Sequence, residues 1–175
     1  MDVPKQLYQV RKATKDDVPE IARLIKGLAE YLGETDRLKI GEAELTRDGF
    51  GERPLFHCLV AEELVPRIPV DEQEQRNSKP ILGIAIYFFT YSTWEGSMLY
   101  LEDLFVIPFA RGQGIGTTIM KALAKVAKEN NCSRVQWMSP QGRPSVNFYH
   151  KLGAECLGDW FIFRLGQQKL DEITS

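Results

Sequence analysis

Cysteine and histidine are scarce in this 175-residue chain, with three of the first and two of the second. Cys58, Cys132 and Cys156 are odd in number and far apart, which argues against a disulfide framework or a paired zinc spacing. His57 and His150 have no ligand spacing around them, so no metal is expected and both read as structural or surface residues. No apolar run approaches the ~18 residues of a membrane span. The opening MDVPKQLYQVRKATKDD has no apolar stretch of signal-peptide length. A basic excess is missing as well. The net charge of −2 and the sequence pI of about 5.8 argue against a nucleic-acid binder, which usually carries a clustered basic face. The expectation is a cytoplasmic protein in a reducing compartment, with neither nucleic acid nor membrane as partner.

What is present is ordinary globular composition, 43% hydrophobic and 26% charged. A chain this long can bury about 70% of its unfolded surface, and one domain spanning residues 1–175 is expected. A strand is expected at 7–11, followed by a helix that Thr14 and Asp17 open. Val18, Ile21, Leu24, Ile25 and Leu28 keep helical spacing, with Gly27 as a local cost. A short helix is expected at 42–47, stopped by Gly49 and Gly51. Residues 56–61 read as a strand, and 66–80 as a polar surface loop joining two strands of a hairpin. Residues 81–91, ILGIAIYFFTY, have the apolar character of a central strand, and 98–106 of another. A helix over 113–130, a strand over 134–138, a helix over 145–152 and a final strand over 160–165 complete a mixed α/β chain.

Chemistry concentrates at one place. The strand ending Leu104-Phe105-Val106 runs into Arg111-Gly112-Gln113-Gly114-Ile115-Gly116-Thr117, which opens the best helix. Glycines there let backbone N–H groups approach a ligand, and a helix start favours a phosphate or pyrophosphate. The P-loop is excluded, because Gly116 is followed by Thr117 and Thr118 without a lysine. The dinucleotide fingerprint is excluded too, since Thr117 stands where its third glycine belongs.

The remaining pattern, R-G-x-G-I-G after a strand ending L-F-V, resembles motif A of the GNAT N-acetyltransferases. Residues 144–154, PSVNFYHKLGA, resemble their motif B. The segments RLIKGLAEY, DGFGERPLFHCLVAE, YFFTYSTW and YLEDLFV narrow the likeness to the diamine acetyltransferase group, which holds polyamine and thialysine enzymes. The resemblance implies the GNAT fold, a central mixed, mostly antiparallel sheet flanked by helices, and a homodimer. It implies acetyl-CoA as donor, held by Leu104, Phe105, Val106, Arg111, Gly112, Gln113, Gly114, Ile115, Gly116, Thr117 and Ser145. Glu102 matches the family's base and Tyr149 its acid. The substrate side is expected at Tyr31, Leu32, Ser92, Trp94, Glu102 and Asp103.

These roles suit the reaction. A carboxylate can take the proton that a primary ammonium must lose, and a tyrosine can give one to a leaving thiolate. On a regular strand, Glu102 and Asp103 point to opposite faces and do not pair. Backbone N–H groups near Phe105 and Val106 are expected to hold the oxyanion. Leu32 and Ser92 stand where polyamine enzymes carry acids, and 138–143 lacks the family's acid and tryptophan but carries Arg143. The expected acceptor is therefore a small lysine-like amine, thialysine above all, or a short diamine. A polyamine acetyltransferase and a non-catalytic acyl-CoA-binding protein are the alternatives.

Overall fold

The computed structural model describes residues 7–64 and 80–174. They fall into two compact units, Met1–Met138 and Ser139–Ser175. The first unit carries a five-stranded sheet in chain order: β1 Tyr8–Lys12, β2 His57–Glu63, β3 Ile81–Ser92, β4 Gly96–Val106 and β5 Val135–Trp137. β1 to β4 pair antiparallel, and β5 joins β4 in parallel, so the sheet is mixed and mostly antiparallel, as expected. The loop expected at 66–80 lies, except for Pro80, outside the described residues. The strands on either side of it, β2 and β3, do pair antiparallel.

The first seven residues of β3 are all buried, and the rest alternate. The strand is thus covered on both faces at its start and on one face toward the β3–β4 turn. Helices α1, Val18–Leu32, and α3, Ile115–Glu129, cover opposite faces. Glycine shows which face is which. A Cβ on Gly27 of α1 would sit 3.2 Å from Phe105 Cε1, whereas one on Gly83 would meet Val106 Cγ2 at 3.1 Å and Ile119 Cδ1 of α3 at 3.2 Å. Phe105 therefore faces α1 and Val106 faces α3. The glycine that weakens α1 by up to ~1 kcal/mol is what admits the Phe105 ring. α1 runs past Leu28 to Leu32, where Gly33 ends it at a φ of 77°. Its start is tied to the sheet by Arg11, which donates two hydrogen bonds to Asp17 and one to Glu62. The short helix α2, Glu42–Phe50, buries Leu45.

The second unit contains α4, Pro144–Lys151, and α5, Gln167–Thr174. The strand expected at 160–165 is not formed. That segment is irregular, and Trp160, Phe161, Ile162 and Phe163 are exposed. Its β-prone residues meet no other strand within this unit, and a strand without a neighbour leaves its backbone groups unpaired.

Candidate active site

Strand β4 is the axis of the site. It pairs with β5 only at Leu99, Tyr100 and Leu101, so its last residues extend beyond that partner. Opposite them, the register with β3 slips: Tyr87 pairs with Leu101 but Ile86 with Asp103, leaving Glu102 as an extra residue in a β-bulge. The bulge changes which way every later group points. Ile107 donates its N–H to the Leu82 carbonyl of β3. By antiparallel alternation Phe105 also bonds toward β3, while Leu104 and Val106 turn their N–H and C=O to the side that β5 has left. Phe105 N–H is thus withdrawn from the oxyanion role expected for it, and the available donors are those of Leu104 and Val106.

The bulge also corrects the expectation for the two acids. Counting back from Phe105 puts Asp103 on the α1 face. Tyr87 and its partner Leu101 lie on the other face, one residue on from Ile86, so Glu102 falls on the α1 face as well. The acids therefore form a pair. Glu102 is exposed and Asp103 partly buried. Burial first, and the Glu102 charge second, push the Asp103 carboxyl up to about 6. No cation or hydrogen-bond donor relieves Asp103 among the described residues. Across Ile86 in the same row lies Cys58, whose thiol burial drives far upward, so it is inert.

Past Val106 the chain makes a tight turn over Pro108–Ala110 and reaches α3 through the glycines. Gly112 and Gly114 adopt φ values of 75° and 82°. Gly114 caps α3 without any side-chain bond, and the first helical bond runs from Thr118 N–H to the Gly114 carbonyl. The N–H groups of Ile115, Gly116 and Thr117 thus precede the helical ladder and point out of the helix start. Together with the helix dipole they fit a pyrophosphate. Tyr8 of β1, which nothing in the sequence pattern singled out, reaches this point; its hydroxyl lies 3.0 Å from Thr118 Oγ1. Gln113 stays at the turn, donating from Nε2 to the Phe109 carbonyl.

Arg111 ties the turn to both β4 and α1. Its Nε donates to the Val106 carbonyl at 2.8 Å. Its guanidinium lies 4.5 Å from the Tyr31 ring centroid and 5.4 Å from that of Phe105. A groove of about 550 Å³ follows beside it, between Gly27 and Tyr31 of α1 and Phe105, Ile107, Pro108 and Phe109, with Arg23, Lys26 and Glu30 on its α1 wall. Tyr31 is thus brought to the Phe105 side of the sheet, and Leu32 closes α1 next to it. Ser92 and Trp94 are elsewhere. Ser92 ends β3 about 20 Å along the strand from Ile86. Its Oγ accepts from Trp94 N–H and Glu95 N–H in the hairpin turn, and Trp94 is exposed. His57 packs against Tyr87 and Phe89, with ring centroids 5.5 and 5.7 Å away.

Within the second unit, Pro144 starts α4 and Ser145 Oγ lies 3.1 Å from Ser139 Oγ. Tyr149 packs against Phe148 at 5.2 Å, and its carbonyl accepts from Ala154 N–H just past Gly153, whose φ is 83°. Burial pushes the Tyr149 phenol up to about 12.

A ligand suited to the first unit is extended, with amide groups to add along β4 and a phosphate to meet α3. The chain belongs to the acetyltransferase (GNAT) family, which it matches over residues 28–154. It is 40% identical to thialysine N-epsilon-acetyltransferase of Mus musculus over 170 residues, 95% of this chain and 96% of that one. It is 38% identical to the spermidine/spermine N(1)-acetyltransferase-like protein 1 of Homo sapiens, covering 95% of this chain but 24% of that longer one. Among solved structures, an integron cassette protein from the mobile metagenome of V. cholerae superposes with a TM-score of 0.75 at 23% identity, covering 97% and 98% of the two chains.

Proposed function

We propose that this chain transfers the acetyl group of acetyl-CoA to a primary amine of a small lysine-like molecule, of which thialysine is the model. The observation that carries it is the strand edge of Leu104 and Val106 leading into the bare start of α3, in a chain 40% identical to a thialysine acetyltransferase over nearly its whole length. Acetyl-CoA supplies an activated acetyl thioester. The chain's part is to align it, to take protons from the amine and to give one to the sulfur. Residues 104–106, Arg111–Thr117 and Ser145 are assigned to its binding. The family match runs through both compact units, which supports reading 1–175 as one acetyltransferase domain.

At pH 7 a primary ammonium of pKa ~10.4 must lose a proton at a cost of roughly 4.6 kcal/mol before it attacks. Glu102 and Asp103 supply the carboxylates that hold the ammonium and take that proton. Tyr149 is assigned as the acid for the leaving thiolate. Val106 N–H, aimed at the open edge, is assigned to the developing negative charge on the thioester oxygen. Arg111 holds the Val106 carbonyl and lies over the Tyr31 ring, which fixes the turn against α1.

Lysine-like acceptors suit this groove better than polyamines. A polyamine needs spaced carboxylates, and Leu32 and Ser92 supply none. The groove's α1 wall carries Arg23, already bound to Glu20, and Lys26, paired with Glu30, so it adds no unpaired acid for a second ammonium. Each absent charge-assisted bond is worth about 1.5–3 kcal/mol, or roughly 10–150-fold in affinity. The double variant Leu32→Glu, Ser92→Asp is expected to move the kcat/KM ratio toward spermidine by tenfold or more. An unchanged ratio removes these positions from selectivity.

A homodimer is part of this reading, in a cytoplasm that keeps the three cysteines reduced. Trp160, Phe161, Ile162 and Phe163 expose a strand-forming apolar run with no sheet of its own, and a second copy is its assigned partner. Light scattering at micromolar concentration is expected to give about twice the 20.0 kDa chain mass. A mass near 20.0 kDa would refute the dimer.

A further inference from the structure

The bulge leaves one feature that acetyl transfer by a lone carboxylate does not use. Glu102 and Asp103 both stand on the α1 face against Ile86, one exposed and one partly buried. Surface acids usually find a cation or a helix start, yet neither has an ion pair among the described residues. The groups around Asp103 do not neutralise it. On its own strand are Glu102 and Tyr100, whose phenol is pushed up by burial and by the Glu102 charge; across β3, which presents Ile86 opposite it, lies the Cys58 thiol of β2. Beyond Cys58, Arg11 is already engaged by Asp17 and Glu62. On the α1 side, Arg111 is committed to Val106 and to the Tyr31 and Phe105 rings. Burial and the neighbouring Glu102 charge both disfavour the ionised form of Asp103, so its carboxylate binds a proton more readily than an ordinary aspartate.

We propose that Asp103 is the group that takes the proton from the acceptor ammonium, with Glu102 holding that ammonium beside it. This rests on the acetyltransferase reading above and divides between two residues the work assigned there to the carboxylates. An N–H bond of the ammonium breaks and an O–H bond forms on Asp103. The freed nitrogen pair forms the C–N bond to the acetyl carbon, and the C–S bond breaks with its electrons on sulfur. Sulfur ends with the surplus proton that the acylated nitrogen loses, and the proton on Asp103 leaves to solvent. The products are the amide, the thiol and one proton.

A carboxyl-carbon NMR titration of the ligand-free protein, with the Asp103 signal assigned through Asp103→Asn, tests the pair without any activity. The expected midpoint is near 6, set by burial and the Glu102 charge, and Glu102→Gln is expected to lower it because a negative neighbour is gone. A midpoint below 5 in the wild type overturns the proposal. The kinetic arm measures kcat/KM against pH. Asp103 must be ionised to accept a proton, so the wild-type rate falls as pH drops through about 6. Asp103→Asn is expected to lose about 10²–10⁴-fold in kcat at every pH. Glu102→Gln should raise KM, keep kcat within about tenfold and move the acid limb to lower pH. A hundredfold kcat loss in Glu102→Gln with Asp103→Asn near wild type would make Glu102 the base. A wild type that acetylates no amine would instead sink the acetyltransferase reading, while the titration still decides whether the two acids are coupled.

Discussion

Tyr149→Phe is expected to lower kcat by about 10²–10⁴-fold, the usual size of an acid–base contribution, with the fold and acetyl-CoA affinity unchanged. The phenol is pushed up to about 12 by burial, whereas a thiol leaving group has a pKa of ~8.5. Handing over the proton is therefore uphill by several kcal/mol if it stands alone. It becomes favourable only because the acylated nitrogen carries a proton to give back to the same oxygen. The raised value has a second consequence. Tyr149 stays protonated through the alkaline range, so a fall in kcat from its ionisation is not expected below about pH 10. Stopped-flow thiol release and calorimetric Kd on the same variant separate chemistry from binding. Full activity in the phenylalanine variant would leave catalysis to positioning alone.

Gly114→Val is expected to weaken acetyl-CoA binding by about 10²-fold or more, counting lost charge-assisted N–H bonds at ~1.5–3 kcal/mol each. Gly114 adopts a φ of 82°, which a β-branched residue resists. Its added Cβ would stand 3.5 Å from the Tyr8 hydroxyl, an ordinary contact, so the fold has room and the cost is backbone strain. Gly96→Val is the matching control. Gly96 has a φ of 88° with nothing within 4 Å, far along β4 from the turn. It should lose comparable stability and keep full affinity for acetyl-CoA. Calorimetry on both variants distinguishes a lost phosphate cradle from a general loss of structure, and equal affinities would remove the turn from cofactor binding.

The sequence pattern was most informative where structure is local. Helical spacing predicted α1 and α3, and the unbroken apolar run predicted β3 as a central strand. The order of strand, glycine turn and helix located the uncapped start of α3. The misses are tertiary. A bulge is one extra residue in a pairing register, and nothing about Leu101-Glu102-Asp103 announces it. The expectation that the two acids point apart therefore failed, and with it the role given to Phe105 N–H. Tyr8 joins the site only because β1 pairs with β2 at the sheet edge and carries its ring toward α3. The run Trp160-Phe161-Ile162-Phe163 has the composition of a strand, but strand formation needs a neighbour that the local sequence does not specify.

The central claim is acetyl transfer to a lysine-like amine, and competition between two acceptors tests it most directly. Purified protein with acetyl-CoA is given thialysine and spermidine in equal concentration, and both acetylated products are quantified by mass spectrometry over the initial rate. The product ratio then equals the ratio of kcat/KM values. The account predicts acetylthialysine in excess, because Leu32 and Ser92 offer no acid to a second ammonium and the chain is 40% identical to a thialysine acetyltransferase. Acetylspermidine in tenfold excess, or no acetylated product from either amine, would contradict it.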